Sequence, residues 1–166
     1  MTLDSWIAAL SLTPHREGGH FRETWRSSER LSRAALPERF DGERSLGTAI
    51  YFLLGRGEVS LLHRLRAAEV WHLHDGGPLV LHRFAPNGGY TPAILGLDIA
   101  AGQAPQQVVQ EGSWFGAELG EGAEFALIGC SVCPGFDYED FELAERAAML
   151  TRHPEHAALI TRLTEG

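Results

Sequence analysis

The segment LLHRLRAAEVWHLHDGGPLVLH, residues 61–82, holds four of the eight histidines of the chain, together with Glu69 and Trp71. Imidazoles near a carboxylate are the raw material of metal sites and of general acid–base pairs. His72 and His74 stand two residues apart, which puts both rings on one face of a strand in a chelating arrangement. His82, across the Asp75-Gly76-Gly77 turn, is the candidate third ligand. No carboxylate follows at a useful spacing, so His72, His74 and His82 are read as half-exposed strand residues that bind no metal. Glu69, Trp71 and Leu73 share the opposite face. There His63 is the candidate general base, its pKa set by Glu69 if the two come within hydrogen-bond reach. Trp71 beside them offers a flat wall on which a ligand can stack. Cys130 and Cys133 are spaced C-x-x-C, but ALIGCSVCPGF reads as a strand running into a Pro-Gly turn. Residues three apart on a strand face opposite ways, so two buried, unpaired thiols are expected rather than a redox pair or half a zinc site.

These side chains have to be carried by short strands. SLGTAIYFLL, VSLLHRL, EVWHLH, PLVLHRF, TPAILGLDI, PQQVVQ, SWFGAEL and AEFALIGCSV follow one another, broken by Gly, Pro and Asn. That rhythm predicts an all-β barrel or sandwich, and no βαβ alternation is present. HFRETWR is a further strand, started by Gly18-Gly19, which permit a positive-φ turn; from that block Glu17 or Arg22 could reach a pocket rim. Residues 28–44 read as a polar surface excursion. LDSWIAALSL reads as an N-terminal helix, and FELAERAAMLTR and EHAALITRL as C-terminal ones, with the acidic DYEDFELAE run as a solvated helix start.

The 166 residues fit one domain, 1–166, with 44% apolar and 22% charged residues. A net charge of −8 and a pI near 5.4 give a surface that repels phosphate backbones, so nucleic acid is excluded as a partner. No apolar run is long enough to cross a bilayer, and no membrane partner is expected. The opening MTLDSWIAALSL lacks a basic n-region and carries Asp4, so a cytoplasmic location is expected.

Gly57, His63, Leu65, Glu69 and Gly76 keep the spacing of the first motif of the cupin superfamily, G-x5-H-x-H-x3–4-E-x6-G. Leu65 stands where that motif has its second metal-ligand histidine. The second motif lies best on QEGSWFGAEL, where Gly112 fits and Gln110, Phe115 and Leu119 replace its proline, histidine and asparagine. Over nearly its whole length the chain resembles the fifth cupin family, a former domain of unknown function. The resembling blocks include PHREGGHFRETWRS, HRLRAAEVWHLHDGGPLVLH, PQQVVQEGSWFGAEL and LIGCSVCPGFDYEDFEL. The resemblance implies a cupin-type double-stranded β-helix, a jelly-roll barrel with short helices at the two ends. It also implies a homodimer, a pocket open at one end, and an architecture like that of sugar-nucleotide epimerases. Trp6, Trp25 and Phe21 then read as core or dimer-face residues.

With only His63 and Glu69 left of four ligands, neither a metal nor any other cofactor is expected. The resulting expectation is a metal-independent cupin that binds a small molecule, carbohydrate-like or small and polar, with an isomerase or epimerase as its enzymatic form. His63 and Glu69 are its catalytic candidates, and Trp71, Arg22, Arg64 and Phe115 its substrate-binding ones. Tyr51, Tyr90 and Tyr138 are the tyrosines available as acids. A non-catalytic ligand binder, a metal enzyme completed by other residues, and a merely mutual burial of His63 and Glu69 stay open as alternatives.

Overall fold

Alternating apolar and polar residues in the strand segments bury one face of each, and the computed structural model, which describes residues 1–165, closes those faces on one another. In chain order the strands are β1 (Thr13–Pro14), β2 (His20–Arg26), β3 (Arg30–Leu31), β4 (Arg44–Ser45), β5 (Thr48–Gly55), β6 (Val59–Leu65), β7 (Ala68–Gly76), β8 (Leu79–Phe84), β9 (Ala93–Leu95), β10 (Gln106–Val109), β11 (Trp114–Leu119), β12 (Phe125–Cys133) and β13 (Phe141–Leu143). The helices are α1 (Leu3–Leu10), α2 (Arg146–Arg152) and α3 (Ala157–Arg162). A six-stranded sheet runs β1-β2-β5-β12-β7-β10 and a five-stranded sheet runs β13-β6-β11-β8-β9; β3 and β4 pair by themselves. The ladders are antiparallel throughout. Phe52, Leu54, Trp71, Ile128, Leu81 and Phe115 fill the space between the sheets. This is the expected all-β jelly roll with short terminal helices.

The ends obey ordinary capping chemistry. Thr2 and Ser5 form a reciprocal capping box at the start of α1. Met149 from α2, with Ile160 and Leu163 from and after α3, buries against Leu62 and Phe84, which seals the outer side of the five-stranded sheet. Burying an apolar side chain of that size contributes roughly 1.5–3 kcal/mol. Among the described residues no helix is long and apolar enough to cross a membrane.

Three local expectations are corrected. Residues 28–44 are more than a surface excursion, because Leu36 and Phe40 are buried in the main core and Arg44 is buried beside them. Phe141–Leu143 is a strand and not the start of a helix: it pairs with β6, Phe141 opposite Leu65 and Leu143 opposite His63. Two apolar residues two apart on a sheet edge bury better there than on a lone helical turn. The acidic run before it is not solvated throughout. Asp140 is buried and takes Arg44 Nε at 2.7 Å and a second guanidinium nitrogen at 2.8 Å. That fork ties residues 134–140, which cross the barrel mouth, to β4.

Candidate functional site

A cavity of about 230 Å³ opens between the inner face of the six-stranded sheet, strand β6 and the segment around Phe136–Phe141. The strand period of two explains its lining: Phe21 and Glu23 from β2, Thr48, Ile50 and Phe52 from β5, His63 and Leu65 from β6, Glu69 and Trp71 from β7, Cys130 and Val132 from β12. His15 and Glu17 come from the turn before β2. Gly18 there has φ +104°, and a Cβ on it would collide with the Val59 carbonyl. Only glycine allows the turn to lie this close to β6. The Leu61 N–H donates to the Glu17 carbonyl at 2.7 Å, and the Glu17 side chain enters the cavity floor.

The floor is a chain of hydrogen bonds. His63 Nδ1–H donates to the Leu61 carbonyl at 2.7 Å, which leaves Nε2 as an acceptor. Glu17 Oε2 lies 3.1 Å from that Nε2. Burial pushes the Glu17 carboxyl up to about 8, against a smaller opposing effect of the Ser60 hydroxyl that donates to Oε1 at 3.0 Å. Burial also lowers His63. At neutral pH this contact therefore brings a protonated carboxyl against a neutral imidazole and is no ion pair. His15 Nδ1 accepts the Glu17 N–H at 3.3 Å, so the proton of that ring is on Nε2. Burial first, then His63 and Arg16, push His15 down to about 4, so its 3.6 Å approach to Glu17 is no salt bridge at neutral pH.

Glu69 Oε2 accepts the Trp71 indole N–H at 2.9 Å. Burial raises Glu69 to about 7; His63 and the indole pull it down and Glu17 adds to the rise. Among the described residues neither Glu69 Oε1 nor the His15 Nε2–H has a protein hydrogen-bond partner, so both are available to a molecule in the cavity.

The structure brings His63, Glu69 and Trp71 together, but not in the expected pairing. His63 and Glu69 form no hydrogen bond or ion pair with each other; the partner of His63 is Glu17, and that of Glu69 is Trp71. His63 Nδ1 is held by the Leu61 carbonyl and Nε2 lies against Glu17, the setting in which the expected general base would have to act. Three ligand-binding candidates lie off the cavity. Arg22 falls between Phe21 and Glu23 and points outward, its guanidinium 5.9 Å from the Tyr51 ring centre. Arg64 falls between His63 and Leu65, where it pairs with Glu142 at 2.7 Å and covers Trp114. Phe115, opposite His63 in the ladder, packs behind the imidazole at 4.1 Å between ring centres and fills core.

Glu17, expected at the rim, is on the floor. His15 was not anticipated, although the H-x-E-G-G run ahead of a strand was its signal. Of the three tyrosines, Tyr138 reaches the cavity, at its mouth; Tyr51 packs on His74 and Tyr90 on His82. Cys130 lines the cavity and burial raises its thiol, whereas Cys133 is exposed, contrary to the expectation of two buried thiols.

The residues present do not fit the metal site that the cupin motifs imply. Leu65 and Phe115 carry no donor atoms at the two vacated ligand positions, and among the described residues no three His, Cys, Asp or Glu side chains are grouped to hold an ion. His72 and His74 stay on the far face of β7. His82 does not share that face: it lies in the other sheet, its Nδ1 on the Tyr90 hydroxyl at 2.8 Å and its Nε2 3.2 Å from Glu118.

Comparison with known proteins agrees with this barrel. An uncharacterised protein of Saccharomyces cerevisiae, YML079W, is 30% identical over 148 residues, covering 84% of this chain and 73% of the yeast protein. The crystal structure of protein SO0799 from Shewanella oneidensis superposes with a TM-score of 0.89 at 40% identity, over 99% of this chain and 98% of that one. A hypothetical protein from Leishmania major matches at 0.89 and 32% identity over the full length of both. Oxalate decarboxylase from Bacillus subtilis shares the fold, with a TM-score of 0.55 at 14% identity over 92% of this chain and 37% of the larger enzyme. The family described as Cupin superfamily (DUF985) matches residues 4–144, and the chain belongs to it.

Proposed function

We propose that the protein binds a small, compact molecule in the cavity without the help of a metal. The observation that carries this reading is the pair of unpartnered polar atoms, Glu69 Oε1 and the His15 Nε2–H, at the floor of an aromatic-walled cavity. A few convergent polar groups within apolar walls are the usual make-up of a ligand site. At about 230 Å³ the cavity is smaller than the roughly 300–1,000 Å³ that drug-sized ligands occupy. A nucleotide-linked sugar is too large, and mostly apolar walls suit a flat or aliphatic body better than a polyol. The sugar-nucleotide epimerases named by resemblance are therefore a guide to architecture and not to substrate.

A second reading, an isomerase, is favoured by Glu69, which burial pushes up to about 7. A buried carboxyl with a pKa near the working pH is a competent proton shuttle. In that case the Glu69 carboxylate takes a proton from a carbon next to a carbonyl. The C–H electron pair becomes the C=C bond of an enolate while the C=O π pair moves onto oxygen, which the His15 Nε2–H stabilises; the reverse flow then returns the proton from the Glu69 acid to carbon.

A thermal-shift screen of small ketones, hydroxyketones, amines and alcohols tests the first reading; no stabilisation by any of them at millimolar concentration overturns it. Incubation of each hit in deuterated water then tests the second. Carbon-bound deuterium that appears with wild-type protein and is lost in Glu69→Gln supports isomerisation, and no deuterium in any hit leaves a binder.

A further inference from the structure

The charges around the cavity are one-sided. Four carboxyl side chains line it against a single arginine, Arg26; Glu17 keeps its proton at neutral pH, and Glu23, Glu69 and Asp137 are the groups that can carry negative charge. That guanidinium is already held by both oxygens of Glu23, at 2.9 and 2.7 Å, and by the Phe136 carbonyl at 2.9 Å. The two histidines of the floor are neutral, since burial lowers both. Among the described residues that line the cavity an anionic ligand would thus meet no free counter-charge; Arg16 lies outside the lining, over the Tyr138 ring at the mouth.

The walls favour the opposite sign. Phe52 and Trp71 form a corner, 5.8 Å between ring centres at 60°. Phe136, Tyr138 and Phe141 form an edge-to-face cluster at the mouth, with ring centres 5.0–6.2 Å apart; the Arg16 guanidinium already lies 4.4 Å from the Tyr138 ring centre and His63 stacks on Phe141, so the Phe52–Trp71 corner is the wall left for a ligand. Ring faces carry the negative lobe of the aromatic quadrupole and attract a desolvated cation. At the foot of this box is Glu69, more than nine-tenths buried, with Oε1 unpartnered. An ammonium N–H is the donor that such an oxygen binds most strongly.

We infer that the cavity selects a small organic cation, a compact apolar body bearing one ammonium group, which seats on Glu69 Oε1 within the aromatic walls. The inference rests on the reading that the cavity binds a small molecule and competes with the isomerase step, because an ammonium on Oε1 takes the oxygen which that step needs. The charge of the ligand repays the burial of an ionised Glu69, and the site discriminates by charge before it discriminates by shape.

The test is isothermal titration of the full chain at pH 7 with three probes of one shape: benzylammonium, benzyl alcohol and benzoate. The expected order is benzylammonium at least about tenfold tighter than benzyl alcohol, with no benzoate binding. In Glu69→Gln that preference falls to within about twofold. Benzyl alcohol or benzoate binding as tightly as the ammonium overturns the cation inference and leaves the ligand site standing. Silence of all three probes, together with a silent thermal-shift screen, removes both. If Glu69→Gln does not fold, the wild-type series alone decides; if it folds and keeps the full preference for benzylammonium, the inference is wrong.

Discussion

Glu17 Oε2 stands 3.1 Å from His63 Nε2, while the Leu61 carbonyl holds Nδ1 of the same ring at 2.7 Å. The imidazole is clamped from both sides, in one tautomer, at the bottom of the barrel. The clamp is built by residues 46 positions apart in sequence, counted from 17 to 63.

Glu17→Gln replaces a protonated carboxyl by a neutral amide of the same shape against Nε2, and its melting temperature should stay close to wild type at pH 6. Glu17→Ala leaves buried Nε2 and the Ser60 hydroxyl without partners and should cost about 1–3 kcal/mol. Urea unfolding of the two variants checks this. Equal losses in both would mean that an ionised Glu17 facing an imidazolium holds the ring.

Stability should fall as pH rises from 6.5 to 8. Glu17 and Glu69, pushed up to about 8 and about 7, keep protons that the unfolded chain releases above its ordinary 4.5. The folded state binds more protons in that window, so this contribution is whole below 4.5 and is lost as pH passes the folded values. His15, pushed down to about 4, and the lowered His63 act in the other direction below 6.5, where the unfolded chain takes up protons that the buried rings refuse. The two effects oppose each other at mildly acid pH, and the carboxyls decide above it. Glu17→Gln should flatten the decline by up to about 1 kcal/mol per pH unit. Denaturation at a series of pH values from 5 to 9 measures it, and a wild-type curve that rises between 6.5 and 8 contradicts it.

Asp140→Ala should be among the most damaging single changes. It strips the two Asp140 hydrogen bonds from Arg44 and leaves a buried guanidinium with the Glu43 carbonyl and the exposed Glu139 carboxylate, at a cost of about 3–5 kcal/mol. Because the fork ties down the segment carrying Phe136 and Tyr138, ligand binding should weaken more than the stability loss alone implies. Denaturant unfolding and probe titration below the melting range separate the two effects. Unchanged affinity in the folded variant would mean that the segment holds its place without this anchor.

Trp71→Phe should raise the pKa of Glu69, since the indole N–H at 2.9 Å is a donor that favours the ionised carboxylate. Carbonyl-region NMR of a Glu-labelled sample across pH 5–9 follows the titration. A midpoint that stays put or drops would show that the indole bond does not help to hold the charge.

Metal analysis of untagged, dialysed protein should find far less than one transition-metal ion per chain. Leu65→His restores one donor beside His63 and should raise metal retention. A full equivalent in the wild type would point to ligands other than those of the cupin motifs.

Much of this architecture is legible in the amino-acid order. Period-two patterns mark β2, β6, β7, β8 and β11, and the spacing of Gly57, His63, Glu69 and Gly76 marks the barrel and two of its floor residues. Alternation also puts Glu69 and Trp71 on one face, because that face depends only on position within one strand. Which strand or loop stands opposite is a different kind of information. That Glu17 rather than Glu69 meets His63, that Phe115 backs the imidazole, and that Asp140 locks Arg44 across 96 positions follow from long-range pairing and burial. Local pattern cannot specify such contacts, since their energy arises only when distant segments exclude water together. The chain order names the side chains that face inward; the closed barrel decides which of them touch, which hold protons, and which remain free for a ligand.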